Sequence, residues 1–197
     1  IGYQCNHMYW RYFMWNFVGR QNDIQGHGEL ENGNWISGIK FIDNARLGNQ
    51  DNLPKSMTNS GRTAFYFLPL LLGLVGLVYH IKKDMNNSWV VFLLFFMTGL
   101  AIVIYLNQPP YQVRERDYAY AGSFYSFCIW IGLGAAAIYS WIMSALKDRR
   151  NMETAVAAGV TVLTLGVPAL MAAENWDDHD RSNRYTAVEM ARNYLNS

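Results

Sequence analysis

Three short polar segments hold the side chains best suited to chemistry in this sequence, and long apolar runs stand between the later two. The first, "GRQNDIQGHGE" at 19–29, offers Arg20 as an anion contact and Asp23 as a base. Its plainer reading is the C-terminal end of a helix followed by turn residues. The second, "QPPYQVRERDYAYAGSF" at 108–124, packs Arg114, Glu115, Arg116 and Asp117 into one link. Guanidinium groups at the level of lipid head groups bind phosphate in a forked, charge-assisted geometry, and acidic neighbours would orient them. The plainer reading is a solvated link with internal ion pairs, or arginines touching ordinary lipid. The third, "ENWDDHDRSNRY" at 174–185, gathers Glu174, Asp177, Asp178, His179 and Asp180. Carboxylates and imidazole bind divalent cations. The spacing is neither that of an EF-hand nor that of a zinc-protease helix, so no divalent metal is expected. Contact with a polar substrate is the better functional reading. The plainer one is a charged helix start after a membrane exit, with acids favoured by the helix dipole. His27 and His179 lack obvious partners and read as surface histidines.

Four apolar runs would position these segments: residues 64–80, 89–106, 122–146 and 154–173. At about 1.5 Å per residue each is long enough for a hydrocarbon core of about 30 Å. None carries an interior charge. The fold class expected is an all-α integral membrane protein with about four transmembrane helices. Three regions follow: 1–62, outward-facing, with an interfacial helix and loops; 63–173, the transmembrane region; and 174–197, the start of an outward-facing soluble part. The 7 Trp, 13 Tyr and 10 Phe suit a membrane interface. The link with Lys82 and Lys83 and the link with Lys147, Arg149 and Arg150 share one side, which the positive-inside rule makes cytoplasmic. All three polar segments then share the opposite side.

The stretch "YQCNHMYWRYFMWNFVGRQ" is helical in period and crowded with aromatics. It reads as an interfacial helix, or as the tail of a span. "NWISGIKFIDNARL" suits a short amphipathic helix lying on the membrane. Gly73, Gly76, "GLGAAA" at 132–137 and the pair Ala155 and Gly159 allow close helix approach. Pro168 is expected to kink the last span. A formal net charge of +1 gives no clustered basic face for nucleic acid. Cys5 and Cys128 form no metal or redox pattern and read as structural. The chain starts at Ile1 and stops inside a helical pattern, so a piece of a longer protein is expected.

"YFMWNFVGRQNDIQG", "NGNWISGIKFIDNARLG", "PPYQVRERDYAYAGSFYSFCIWIGLG" and "ENWDDHDRSNRYTA" resemble the middle of a bacterial multi-spanning membrane family filed as domain of unknown function 2723. The resemblance covers essentially the whole chain. That family is similar to the GT-C protein O-mannosyltransferases, and an animal relative is one. The resemblance implies transfer of a sugar from a polyprenyl-phosphate donor to Ser or Thr of an exported acceptor protein. It implies a bacterial inner membrane location with functional loops facing the periplasm. Membrane lipid, the lipid-linked sugar and the acceptor are the implied partners. GT-C enzymes place a catalytic acid in the first outward loop, and no residue here matches it, so the base is expected upstream. Arg114 and Arg116 would stabilise the departing phosphate, with Glu115 and Asp117 orienting them. Arg20, Asp23 and the 177–180 cluster are the weaker candidates for donor or acceptor contact.

Two rivals use the same residues. A transporter or flippase of an anionic substrate should show broken helices near mid-membrane or polar residues within the spans. A non-catalytic scaffold of an envelope complex would use the outer aromatics as an interface.

Overall fold

A computed structural model of the chain describes every residue except Ile1, Ser56, residues 111–115, Asp148, Arg181, Asn183 and Ser197, and omits the side chain of Asp178. The architecture is helical, with one two-stranded ribbon. A π-helical turn, Gln4–Trp10, leads into α1, Arg11–Phe17. Strand β1, Gly19–Arg20, pairs antiparallel with β2, Thr63–Ala64, and Trp35 bridges to Arg20. Between them lies the short helix α2, Lys40–Leu47. The bundle follows: α3, Leu68–Lys83; α4, Met85–Thr98; α5, Leu100–Leu106; α6, Ala121–Ala145; and α7, Glu153–His179. A final amphipathic helix, α8, spans Thr186–Leu195.

Among the described residues, three helical stretches are long and apolar enough to cross a membrane: Met85–Leu106, Asp117–Ala145 and Arg150–Asp177. Their outer surfaces are apolar, and Val162 and Leu163 on α7 are 71% and 77% exposed. Water would penalise such a surface at about 25 cal/mol per Å², whereas hydrocarbon does not. The expected first span differs. Ala64 belongs to β2, and Tyr66 and Phe67 take left-handed φ of 53° and 60°, which no helix continues. Helix α3 therefore begins at Leu68 and has 16 residues, about 24 Å, short of a full hydrocarbon core. Only Asp84 separates it from α4, where its carboxylate accepts the Asn87 backbone N–H and caps the new helix.

The expected second span is interrupted at Gly99, whose φ of −116° and ψ of −101° lie outside the helix. The position is closely approached: a Cβ there would lie 2.5 Å from the Tyr9 hydroxyl and 2.9 Å from the Ser123 Cβ, so only glycine fits. Helix α7 runs unbroken through Pro168.

Helices α3 and α6 run parallel. Gly73 lies under the Phe127 ring, and one turn later a Cβ at Gly76 would fall on the Trp130 carbonyl oxygen. The link after α3 and the link after α6 therefore share one end of the bundle, the lysine end, as their charges suggested. Helix α7 returns to the other end, where Glu174 accepts from the Ala64 N–H of the ribbon at 3.4 Å. This is the ribbon end.

The aromatic N-terminal helix supplies part of the bundle core. Tyr9, Phe13 and Phe17, spaced by four, are at most 3% exposed and pack on Val103, Tyr120, Phe124, Phe127 and Trp130. Phe13 meets Phe127 edge to face at 5.0 Å between ring centroids. This face of the aromatic helix is thus buried in protein.

Candidate functional site

Helix α1 presents three faces. One is the core stripe. A second carries Tyr12, Trp15 and Asn16, and with the ribbon and the last turns of α7 it encloses a cleft of about 420 Å³. Arg20 enters from β1, and Asn175, Trp176 and His179 from α7. The sequence thus folds two of its predicted site residues, Arg20 and His179, into one cavity at the ribbon end.

Arg20 is fixed by its surroundings. Its Nε donates to the Gly61 carbonyl at 2.6 Å, and its guanidinium lies 5.7 Å from the Trp15 ring centroid. His179 pairs through Nδ1 with the Asn175 carbonyl at 3.0 Å. Only an N–H can donate there, so the neutral ring holds its proton on Nδ1 and its lone pair on Nε2. Trp176 stands 72% exposed beside it. A cation and an imidazole therefore share a cleft with broad apolar rings. That combination accommodates an anionic head joined to an apolar body.

The other predicted residues fall elsewhere. Asp23 is exposed and accepts from the Asn59 side-chain amide, outside the cleft lining. Its neighbours Gln21 and Asn22 are buried at 1% and 0% exposure and organise the loop. The Asn22 oxygen accepts the Gly33 N–H at 2.9 Å, and its amide donates to the Glu31 and Met57 carbonyls at 3.3 and 3.2 Å. This segment is more than a loose turn, because its amides do structural work.

In the RERD link, Arg114 and Glu115 lie outside the described residues. Arg116 is exposed, and Asp117 opens a 3₁₀ turn into α6. Neither lines the Arg20–His179 cleft. In the third segment, α7 continues through His179, so Asp177 and Asp178 lie at a helix C-terminus and not at the expected N-terminus. Asp177 is exposed and does not line the cleft. Asp180 follows the helix, and the side-chain and backbone hydrogen bonds of Ser182 hold its carboxyl below the ordinary range. No group of three or more metal-ligating side chains occurs among the described residues.

Sequence reasoning missed Tyr12, Trp15, Asn175 and Trp176 as cleft residues. The signal was present: 12, 15 and 16, like 175, 176 and 179, are helical neighbours on one face. Nothing in the sequence says that those two faces meet.

Comparison with family models, curated proteins and solved structures finds no match to this chain. The class that fold and site define is a helical multi-pass membrane protein. An aromatic helix and a ribbon close one end of its bundle over a basic, ring-lined cleft.

Proposed function

We propose that the chain is part of a membrane glycosyltransferase of GT-C type that moves a sugar from a polyprenyl-phosphate donor to Ser or Thr of an exported protein. The observation that carries this reading is the cleft joining Arg20 and His179 to Trp15 and Trp176 at one end of the bundle. A lipid-linked phosphate needs a cation for its head and an apolar surface for its first isoprene units, and this cleft offers both side by side. Arg20 would hold the phosphate and stabilise the charge left on it. His179 would contact the phosphate or the acceptor hydroxyl. Arg114 and Arg116 remain candidates for the same leaving group, with Glu115 and Asp117 as their orienting partners. The base that takes the acceptor proton is expected outside these residues. The ribbon end would face the periplasm of a bacterial inner membrane.

The test is glycan occupancy of exported proteins by mass spectrometry. Cells would carry the full-length protein with Arg20→Ala, with His179→Ala, or with Arg114 and Arg116 both changed to Ala, and membrane levels would be measured alongside. Loss of O-glycans in Arg20→Ala at normal protein level is expected. Unchanged occupancy in all three variants would overturn the reading.

A second reading has one observation in its favour. The interruption at Gly99 is the mark expected of a transporter, whose broken helices bind substrate near mid-membrane. The groups nearest to it are the Tyr9 hydroxyl, the Phe95 carbonyl and Ser123, beside the aromatic core. Flipping of a fluorescent lipid-linked phosphate in proteoliposomes, abolished by Gly99→Leu, would favour this alternative.

A further inference from the structure

The third face of the N-terminal helix carries Tyr3, His7, Trp10, Arg11 and Met14, a stripe at helical spacing outside the cleft, in which Met14 also touches the core. It lines a separate cavity of about 410 Å³, closed on the far side by His27, Trp35 and Arg46. We propose that this cavity is a second binding site, for a small ligand bearing an oxyanion, carboxylate or phosphate, on a ring-sized body. It does not depend on the glycosyltransferase reading.

The lining has one sign of charge. Two guanidinium groups and two imidazoles face the space, and no Asp or Glu lines it among the described residues. Two acids lie near the lining without forming part of it: Glu29 is within electrostatic reach of His27 and His7, and Asp43 of Arg46, and both are also engaged by backbone N–H groups. Glu29 accepts the His27 backbone N–H at 2.6 Å. Asp43, on α2 with Arg46, uses Oδ1 for the Ser37 N–H and hydroxyl and Oδ2 for the Gly38 N–H. Arg11 is 6% exposed, so its charge is held in a largely dry wall. Its position follows from the π-turn. The Arg11 backbone N–H bonds Asn6 O, five residues back. Its own Nε takes the His7 carbonyl that a regular turn would have used, at 2.8 Å. Nη1 reaches across to Gly33 O at 3.1 Å and ties the helix to the opposing loop.

Arg46 is held just as firmly. Its guanidinium carbon lies 3.4 Å from the Trp35 ring centroid, and Nη1 donates to Trp35 O at 3.0 Å. A stacked guanidinium keeps its edge for a ligand, so Arg46 can make forked contact with an oxyanion while the buried Arg11 adds positive charge to the same wall. Tyr3, stacked on His7 at 4.7 Å, and Trp10 supply ring faces for the rest of the ligand. The volume lies within the usual range for small-molecule pockets, about 300–1,000 Å³.

The test is isothermal titration of the full-length protein in detergent with glucuronate, inorganic phosphate and glucose. Saturable binding of glucuronate or phosphate is expected, with glucose silent. If only phosphate binds, the oxyanion is a phosphate; if only glucuronate binds, it is a carboxylate; if both bind, they should compete. Arg46→Gln should weaken binding by roughly tenfold and Arg46→Lys by less, since Lys keeps charge but loses the fork. Lys40→Gln removes a charge from the same helix outside the cavity and should change affinity by less than about twofold. Thermal unfolding of each variant guards against misfolding, and if Arg46→Gln does not fold, the Arg46→Lys result decides. The proposal is overturned if neither anion saturates, if glucose binds as tightly, or if Lys40→Gln weakens binding as much as the Arg46 variant that decides.

Discussion

Asn22 illustrates how the polar residues of this chain divide between scaffold and site. Its side chain is fully buried and satisfies three backbone groups of two different loops. Truncation to Ala would leave the Gly33 N–H without its acceptor. A buried group orphaned in this way costs about 1–3 kcal/mol. Asn22→Ala should therefore lower the thermal unfolding midpoint in detergent and hasten proteolysis within 26–34. An unchanged midpoint and cleavage pattern would remove Asn22 from the scaffold. The residue types at 20–23 were legible as polar and special, yet their roles were not. Arg20, the last residue of the strand, reaches the cleft, while Gln21 and Asn22 just past it are buried by the hydrogen bonds they make to the 30–34 loop and to Met57.

At the scale of elements, the contact between α3 and α6 is decided by glycines. Gly76 allows the α3 backbone to lie on the backbone of Trp130 and Gly134, and an added Cβ would overlap both. Gly132 sits on the same helix as Gly134 with open space around it. Gly76→Ala should destabilise the bundle by about 1–3 kcal/mol through overpacking. Gly132→Ala should be neutral or slightly stabilising, because Ala is the better helix former. Reversible unfolding in mixed micelles would compare them, and equal effects would refute the close-packed seam. The sequence showed the glycines and their helical spacing. It did not show which ones face a neighbour. It also concealed the close approach at Gly99, since Tyr9, which lies against it, comes from a distant part of the chain.

For the whole molecule, parallel packing of α3 and α6 places the links after them at one end and the ribbon at the other. Single cysteines at Asn86 and Asn151, in a background without Cys5 and Cys128, should react with an impermeant thiol reagent from the same membrane face. A cysteine at Asn32 should react from the opposite face. Labelling of Asn86→Cys and Asn151→Cys from different faces would break this topology. Their shared side was readable from the basic residues of both links, because that bias is a property of local composition.

What the sequence determined by itself is the membrane class. Hydrocarbon thickness and helix rise act on one segment at a time, so three of the four apolar runs could be recognised as spans without knowledge of any neighbour. The fourth was overextended because Tyr66 and Phe67 adopt left-handed backbone where the ribbon meets α3, a constraint of tertiary pairing. Only the tertiary structure decided that the aromatic helix has three destinations: core, cleft and second cavity. Only it decided that Arg20 and His179 meet. Both outcomes depend on which faces of distant elements touch, and periodicity gives the spacing of a face without naming its partner.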